Sequence, residues 1–364
     1  MSWIQQAFVY GPFGVFALTY VLFVRSAASS VRARALWAIA LLFSFSKFFC
    51  FRQLGYSAFC PELPQTLIWF WDWAYSGAFI LFALSVPLCF RFRPKKYVLP
   101  LVAWSLSAWG LWNGLCLPVV VETEISFENL PASLDGYRIV QLADIHASSA
   151  ARRWRTQAIV DLVNAQQADL VCLTGDNVDG RIAQSRAFVE PLMELKAKDG
   201  VYACTGNHEY YFRYPEWKAG FYDQAKNIRF LTNACAFPRP GLALAGVPDP
   251  IGLQKRSDVA PDVRLAFAAA TNGEFRVLLQ HQPKWAQANI REVGVDLQLS
   301  GHTHGGIAPG LSILVSHHNA GYDRGFYRYG RSILHVSPGC GQWAGFPMRF
   351  FNPSEITVIR LRRK

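Results

Sequence analysis

The chain has 364 residues, of which 52% are hydrophobic and 17% charged, and carries a net charge of +11. That balance is unusual for a wholly soluble protein, and the apolar excess lies before residue 122, where Glu62 and Asp72 are the only acids. The positive charge does not indicate a nucleic-acid partner: residues 1–121 hold nine basic against two acidic side chains, which act as topology signals, and the remainder holds twenty-seven against twenty-three, part of it in the terminal Arg360, Arg362, Arg363 and Lys364 cluster.

In chain order, the apolar stretches 3–24, 35–51, 67–90 and 97–121 read as four membrane-spanning helices, the second short and interrupted by Lys47. Trp69, Trp71 and Trp73 open the third and suit a membrane–water interface; Lys47 and Asp72 are expected at such interfaces in preference to a contact between them. The first stretch has no basic residue before it and reads as a retained helix, not a cleaved signal peptide. Arg25, Arg32 and Arg34 lie between the first two spans, and Arg91, Arg93, Lys95 and Lys96 between the last two. The positive-inside rule makes both loops cytoplasmic, so the chain after residue 121 faces outward, periplasmic in a bacterial inner membrane. Loss of the weak second span would turn that part to the cytoplasm. Eight cysteines show no metal-binding spacing, although Cys50 and Cys60 flank the outer loop and could pair in an oxidising compartment.

Residues 122–364 then read as a globular domain. Strands are expected at 137–143, 170–174, 201–205, 242–247, 276–280, 295–299, 333–336 and 356–361, with helices at 155–167 and 185–196. The alternation predicts an α/β layered fold with a more antiparallel C-terminal part. The division is therefore 1–121, a transmembrane helical anchor, and 122–364, a globular α/β domain. Almost no linker separates them, which keeps the site near the bilayer surface.

Five motifs carry the chemistry: Asp144-Ile145-His146, Gly175-Asp176, Gly206-Asn207-His208-Glu209, His281 and Gly301-His302-Thr303-His304. Each falls just after an expected strand, where α/β folds place their sites. Carboxylate, imidazole and amide donors without thiolates suit Mn, Fe, Zn or Co better than an all-oxygen Mg or Ca cage. Two such ions, about 3.5–4 Å apart and bridged by a carboxylate, would activate a bridging water as the nucleophile and clamp both oxygens of an in-line displacement at phosphorus.

The order of these motifs resembles the calcineurin-like metallophosphoesterase superfamily. The runs LADIHAS, LTGDNVDG, TGNHEYY, LSGHTHGG and SPGCGQW are similar to its bacterial membrane-associated phosphodiesterase branch, related to the UDP-2,3-diacylglucosamine pyrophosphatases. The resemblance covers residues 122–364 and implies an αββα sandwich with a dinuclear centre between its sheets. It implies that Asp144, His146 and His304 hold one divalent metal, that Asp176 bridges, and that Asn207, His281 and His302 hold the second. His208 would stabilise charge or protonate the leaving oxygen.

Beyond the motifs, Asp179 reads either as orienting a ligand histidine or as a turn residue before Gly180, and Glu209 as similar support or a helix cap. Arg152, Arg153 and Arg155 read as a solvated helix start in preference to phosphate contacts, and His317, His318 and His335 receive no role. The aromatic runs 210–217 and 343–351 read as core or as a lip beside the metals that admits an acyl chain. The function expected is a membrane-anchored dinuclear-metal phosphoesterase acting on a phosphodiester or pyrophosphate of a lipid-linked or phospholipid-like substrate. The alternatives are a soluble nucleotide or small phosphate ester, or a non-catalytic metal-binding regulator.

Overall fold

A computed structural model describes residues 3–28, 30–57, 59–87, 98–308 and 310–364, with side chains from residue 6 onward. Two compact units result: residues 1–115 together with 343–349, and residues 116–342 together with 350–364.

The first unit is helical. Helix Trp3–Thr19 runs through a π-helical turn, Tyr20–Val24, into Arg25–Ala27, and is followed by Val31–Phe45, Lys47–Gln53, Gln65–Ser85 and Val98–Leu115. Gln6–Ala27 and Gln65–Ser85 are long and apolar enough to cross a membrane; Val31–Phe45 with Lys47–Gln53 makes a third candidate, bent by 62°. The expected fourth span is shorter than its apolar run. Its helix stops at Leu115 because the β-branched residues from Val119 onward enter a strand. The Arg91, Arg93, Lys95 and Lys96 loop lies outside the described residues.

The packing of this unit corrects one expectation. Lys47 and Asp72 do not stand apart: both are buried and form an ion pair, with Lys47 Nζ also donating to the Ala344 carbonyl at 3.1 Å. An isolated charge among apolar helices is expensive, so each side chain needs the other. Two of the three tryptophans are tied to neighbouring helices. Trp71 Nε1 donates to the Phe43 carbonyl, and Trp73 Nε1 to that of Trp104, at 3.0 and 3.1 Å. The segment 343–349 supplies core: Trp343 and Phe346 meet Phe8, and Phe346 also meets Tyr75 and Phe79. No disulfide joins Cys50 to Cys60, and Cys50 Sγ lies 3.4 Å from Ser46 Oγ.

The second unit holds two six-stranded mixed sheets among the described residues. One contains β1 (Val119–Phe127), β2 (Arg138–Leu142), β3 (Leu170–Thr174), β4 (Val201–Cys204), β5 (Ile228–Phe230) and β12 (Glu355–Arg363), in the order β1-β12-β2-β3-β4-β5. The other contains β6 (Ala234–Ala236), β7 (Leu242–Gly246), β8 (Phe275–Leu279), β9 (Leu297–Ser300), β10 (Gly325–Tyr329) and β11 (Ser332–Val336), in the order β10-β11-β9-β8-β7-β6.

Strand alternation explains how the sheets meet. Leu242, Leu244, Val277 and Leu279 join Ile139, Leu170 and Cys172 in one core between the sheets. The intervening Ala243, Ala245 and Leu278 point the other way, against Val263, Phe267, Ile290 and Val293 of the covering helices. β2, β3 and β4 are mutually parallel, as are β7, β8 and β9. The carboxyl ends of β2, β3, β4, β8 and β9 are followed by all of the motif residues.

Candidate metal centre

The loops after those five strands bring their polar side chains into one buried cluster. Asp144, His146 and His304 present ligand atoms within 4.8 Å of one another, as do Asp176, His281 and His302. Asp176 joins the groups: its Oδ2 lies 3.3 Å from His281 Nε2 and 3.9 Å from both His146 Nε2 and His208 Nε2. Asn207 Oδ1 is 3.2 Å from His281 Nε2, and His304 Nε2 is 3.7 Å from Asp144 Oδ1. All eight motif side chains therefore converge. The cluster also includes Asp179, whose carboxylate lies 3.2 Å from His146 Nδ1 and 2.5 Å from His208 Nδ1.

The backbone is distorted to achieve this. Asp144, His146, Asp176, His302 and His304 all have positive φ, between 47° and 74°. Left-handed backbone is costly for residues with a Cβ and gathers at functional sites. Gly206 reflects the same crowding, because a Cβ there would fall 2.2 Å from Asp176 Oδ1.

Hydrogen bonds set the direction of each donor. His281 Nδ1 lies 2.7 Å from the Thr174 carbonyl, so Nδ1 donates there, and Nε2, which faces Asp176, is the atom free to ligate once its own proton is lost. The His302 amide donates to both oxygens of Asp144, and the His208 amide to Asp176 Oδ1 at 2.8 Å. His146 Nε2 and His304 Nε2 stand 3.1 Å apart in a buried site, a placement that a shared cation satisfies better than a shared proton. The oxygen and nitrogen donors fit divalent metal ions.

Charges in the cluster oppose burial. Burial would raise Asp176, but His281, His208 and His146 outweigh it and hold the carboxyl well below its ordinary value. Burial would depress His208, yet Asp176 and then Asp179 raise it to about 9. His281 is likewise lifted to about 10 against burial, chiefly by Asp176. Asp144, dominated by burial, rises to about 6, and His302 falls to about 3 from burial and the neighbouring His281.

The surrounding residues resolve several open readings. Asp179 orients His146 and His208, and is not merely a turn residue. Glu209 binds backbone amides of both adjacent loops. Arg153 makes a surface pair with Glu190, whereas Arg155 is buried and not solvated. His335 is buried against Gln141, 2.6 Å away, and belongs to the sheet core. Tyr210, Phe212, Tyr214 and Trp217 are buried packing residues, and Tyr211, half-buried, lies beside His208 with ring centroids 5.4 Å apart. Tyr222 was not singled out by any motif; its hydroxyl reaches Glu209 at 3.0 Å, and only its place in an aromatic stretch hinted at burial.

Comparison with known proteins agrees with this chemistry. The calcineurin-like phosphoesterase family model matches residues 137–306, which include every motif. A Helicobacter pylori protein described as an uncharacterized metallophosphoesterase is 36% identical over 70% of this chain and 67% of its own length. A Danio rerio protein described as a transmembrane protein with metallophosphoesterase domain is 36% identical over 74% of this chain and 63% of its own. A Bacillus subtilis metallophosphoesterase, also described as uncharacterized, is 28% identical over 67% and 87%. With its histidines and aspartates converging at the strand ends, the chain belongs to the calcineurin-like phosphoesterases and is a metal-dependent phosphoester hydrolase that also carries apolar helices long enough to cross a membrane.

Proposed function

We propose that the protein is a membrane-anchored dinuclear phosphoesterase that hydrolyses a phosphodiester or pyrophosphate of a lipid-linked or phospholipid-like substrate. Asp144, His146 and His304 hold one divalent ion, Asn207, His281 and His302 hold the other, and Asp176 bridges them. The observation that carries this reading is the position of Asp176 Oδ2, within 3.3–3.9 Å of ring nitrogens from three separate loops. Bound ions supply an activated water and neutralise phosphoryl charge. The protein contributes the rest. His208 keeps its Nδ1 proton against Asp179, so Nε2–H can pass a proton to the leaving oxygen. Asp179 also fixes the His146 ring, leaving Nε2 for a cation.

The lipid assignment is supported by two apolar helices long enough to cross a membrane among the described residues and by a relative described as a transmembrane protein. We further propose four membrane crossings and a periplasmic catalytic domain in a bacterial inner membrane. The basic loop around Arg25, Arg32 and Arg34 supports that orientation. Metal analysis together with turnover of a panel of phosphodiesters, pyrophosphates and lipid-linked esters tests the enzyme reading. Asp176→Ala should lose bound metal, and His208→Ala should keep metal but lose rate. Full turnover in both variants would remove the mechanism. Protease accessibility in spheroplasts decides the orientation.

A further inference from the structure

One buried carboxylate beside the cluster contacts no histidine side chain and is not among the residues proposed to hold the ions. Glu209 Oε2 accepts from the Asp176 amide at 3.1 Å and the Gly206 amide at 2.8 Å. Its Oε1 accepts from the Asn177 amide at 2.8 Å, from Asn177 Nδ2 at 3.3 Å and from the Tyr222 hydroxyl at 3.0 Å. A helix cap needs only the Gly206 amide. The other donors come from the loop after β3, which carries Asp176, and from a separate helical segment. Glu209 itself sits in the short helix Asn207–Tyr211 that follows β4, two residues beyond Asn207.

The two loops leave no space between them. A Cβ on Gly175 would meet the Gly206 nitrogen at 2.6 Å. Their spacing therefore depends on backbone contact and on the carboxylate that spans both. Tyr222 ends a π-helical turn, Lys218–Tyr222, of the kind often found at functional sites. Trp217, just before that turn, donates from Nε1 to the Gly180 carbonyl at 3.0 Å, next to Asp179. The aromatic run thus supports the β3 loop at one end and Glu209 at the other.

We propose that Glu209, held by Tyr222, is a positioning residue that sets the separation of Asp176 and Asn207 and so the spacing of the two cation sites. This rests on the dinuclear reading above. Glu209 does not touch the reacting atoms; it acts through the backbone of the residues that do. Replacing it with glutamine keeps its size but turns an NH2 group toward amides that are themselves donors.

The test uses the full-length protein in detergent, as wild type, Glu209→Gln and Tyr222→Phe. Hydrogen exchange of the metal-free protein is read over residues 174–178 and 205–209, and Mn(II) titration is followed by the exchange-coupled signal in electron paramagnetic resonance. In Glu209→Gln, exchange in both segments should accelerate at least about ten-fold, and the second Mn(II) should bind roughly 10–100-fold more weakly with loss of the coupled signal. Tyr222→Phe, which deletes one hydroxyl, should shift both readouts the same way by less, and carries the test should the glutamine variant not fold. Wild-type exchange and an unchanged coupled signal would overturn the proposal, even with a lowered melting temperature. The exchange measurement needs no metal, so a wild-type protein that takes up only one ion would refute the dinuclear reading while exchange still judged Glu209.

Discussion

Replacing Asp179 with asparagine separates the interests of two histidines that share one carboxylate. Its oxygens lie 2.5 Å from His208 Nδ1 and 3.2 Å from His146 Nδ1, and all three side chains are buried. An amide has one acceptor, so one ring must face an NH2 group and move its proton to Nε2. In His146 that proton occupies the atom offered to a cation; in His208 it removes the imidazolium. Losing one charge-assisted hydrogen bond of this kind costs about 1.5–3 kcal/mol, or roughly 10–100-fold in rate or metal affinity. The pH profile adds a sign. Burial depresses His208 while Asp176 and Asp179 raise it to about 9, so its acid form is present below that value and lost above it. Without the Asp179 charge the alkaline fall in rate moves to lower pH. Bound dications would lower this limb in both proteins, so the difference between them is the informative quantity. Hydrolysis of a chromogenic phosphodiester across neutral and alkaline pH, with metal content measured in parallel, supplies the assay. A variant with wild-type metal content and the same alkaline limb would refute the reasoning.

Metal uptake should release protons. His281, lifted to about 10 mainly by Asp176 against burial, must lose a proton before Nε2 can ligate, so affinity should rise with pH up to that value. Calorimetric titration in buffers of different ionisation enthalpy would detect the release, and buffer-independent heats would contradict it. Lys47→Met alone leaves Asp72 buried without its partner and should cost about 3–5 kcal/mol, whereas Lys47→Met with Asp72→Leu should recover most of the loss. Thermal unfolding in detergent reads both variants, and a single variant as stable as wild type would refute the pairing. His335 is pushed down to about 3 by burial, so the folded protein keeps it neutral while an unfolded chain protonates near 6.5. Its contribution is therefore full above 6.5 and lost as pH falls toward 3, at most about 5 kcal/mol. Denaturant unfolding of His335→Gln should show a shallower acid-side loss; an identical slope would exclude His335 as its source.

Much of the catalytic unit was legible because its central strands are short, continuous apolar runs. Leu170–Thr174 matches the expected strand at both ends, and each motif follows a strand as expected. The strands that escaped, β1, β5, β6 and β10, are the four edge strands of the two sheets, and β5 and β6 have only three residues each. Their exposed positions dilute the apolar signal that marks a central strand. The Lys47–Asp72 pair depends on the 62° bend beside Ser46, which no local signal announces. Tyr222 illustrates the same limit. It stands thirteen residues beyond Glu209, and only folding of the intervening aromatic segment brings hydroxyl and carboxylate together.

The allegiance of residues 343–349 to the helical unit affects how the protein can be dissected. Cutting before residue 122, where composition changes, would leave Trp343 and Phe346 in the remaining polypeptide but remove Phe8, Tyr75 and Phe79, the rings they pack against. It would also remove Lys47 from the Ala344 carbonyl. A soluble fragment made this way gains a bare aromatic stretch near its C-terminus and is prone to self-association. Polar replacement of Trp343 and Phe346 in the same fragment, or retention of the helices in detergent, is the practical remedy. The genetic boundary and the physical one fall in different places.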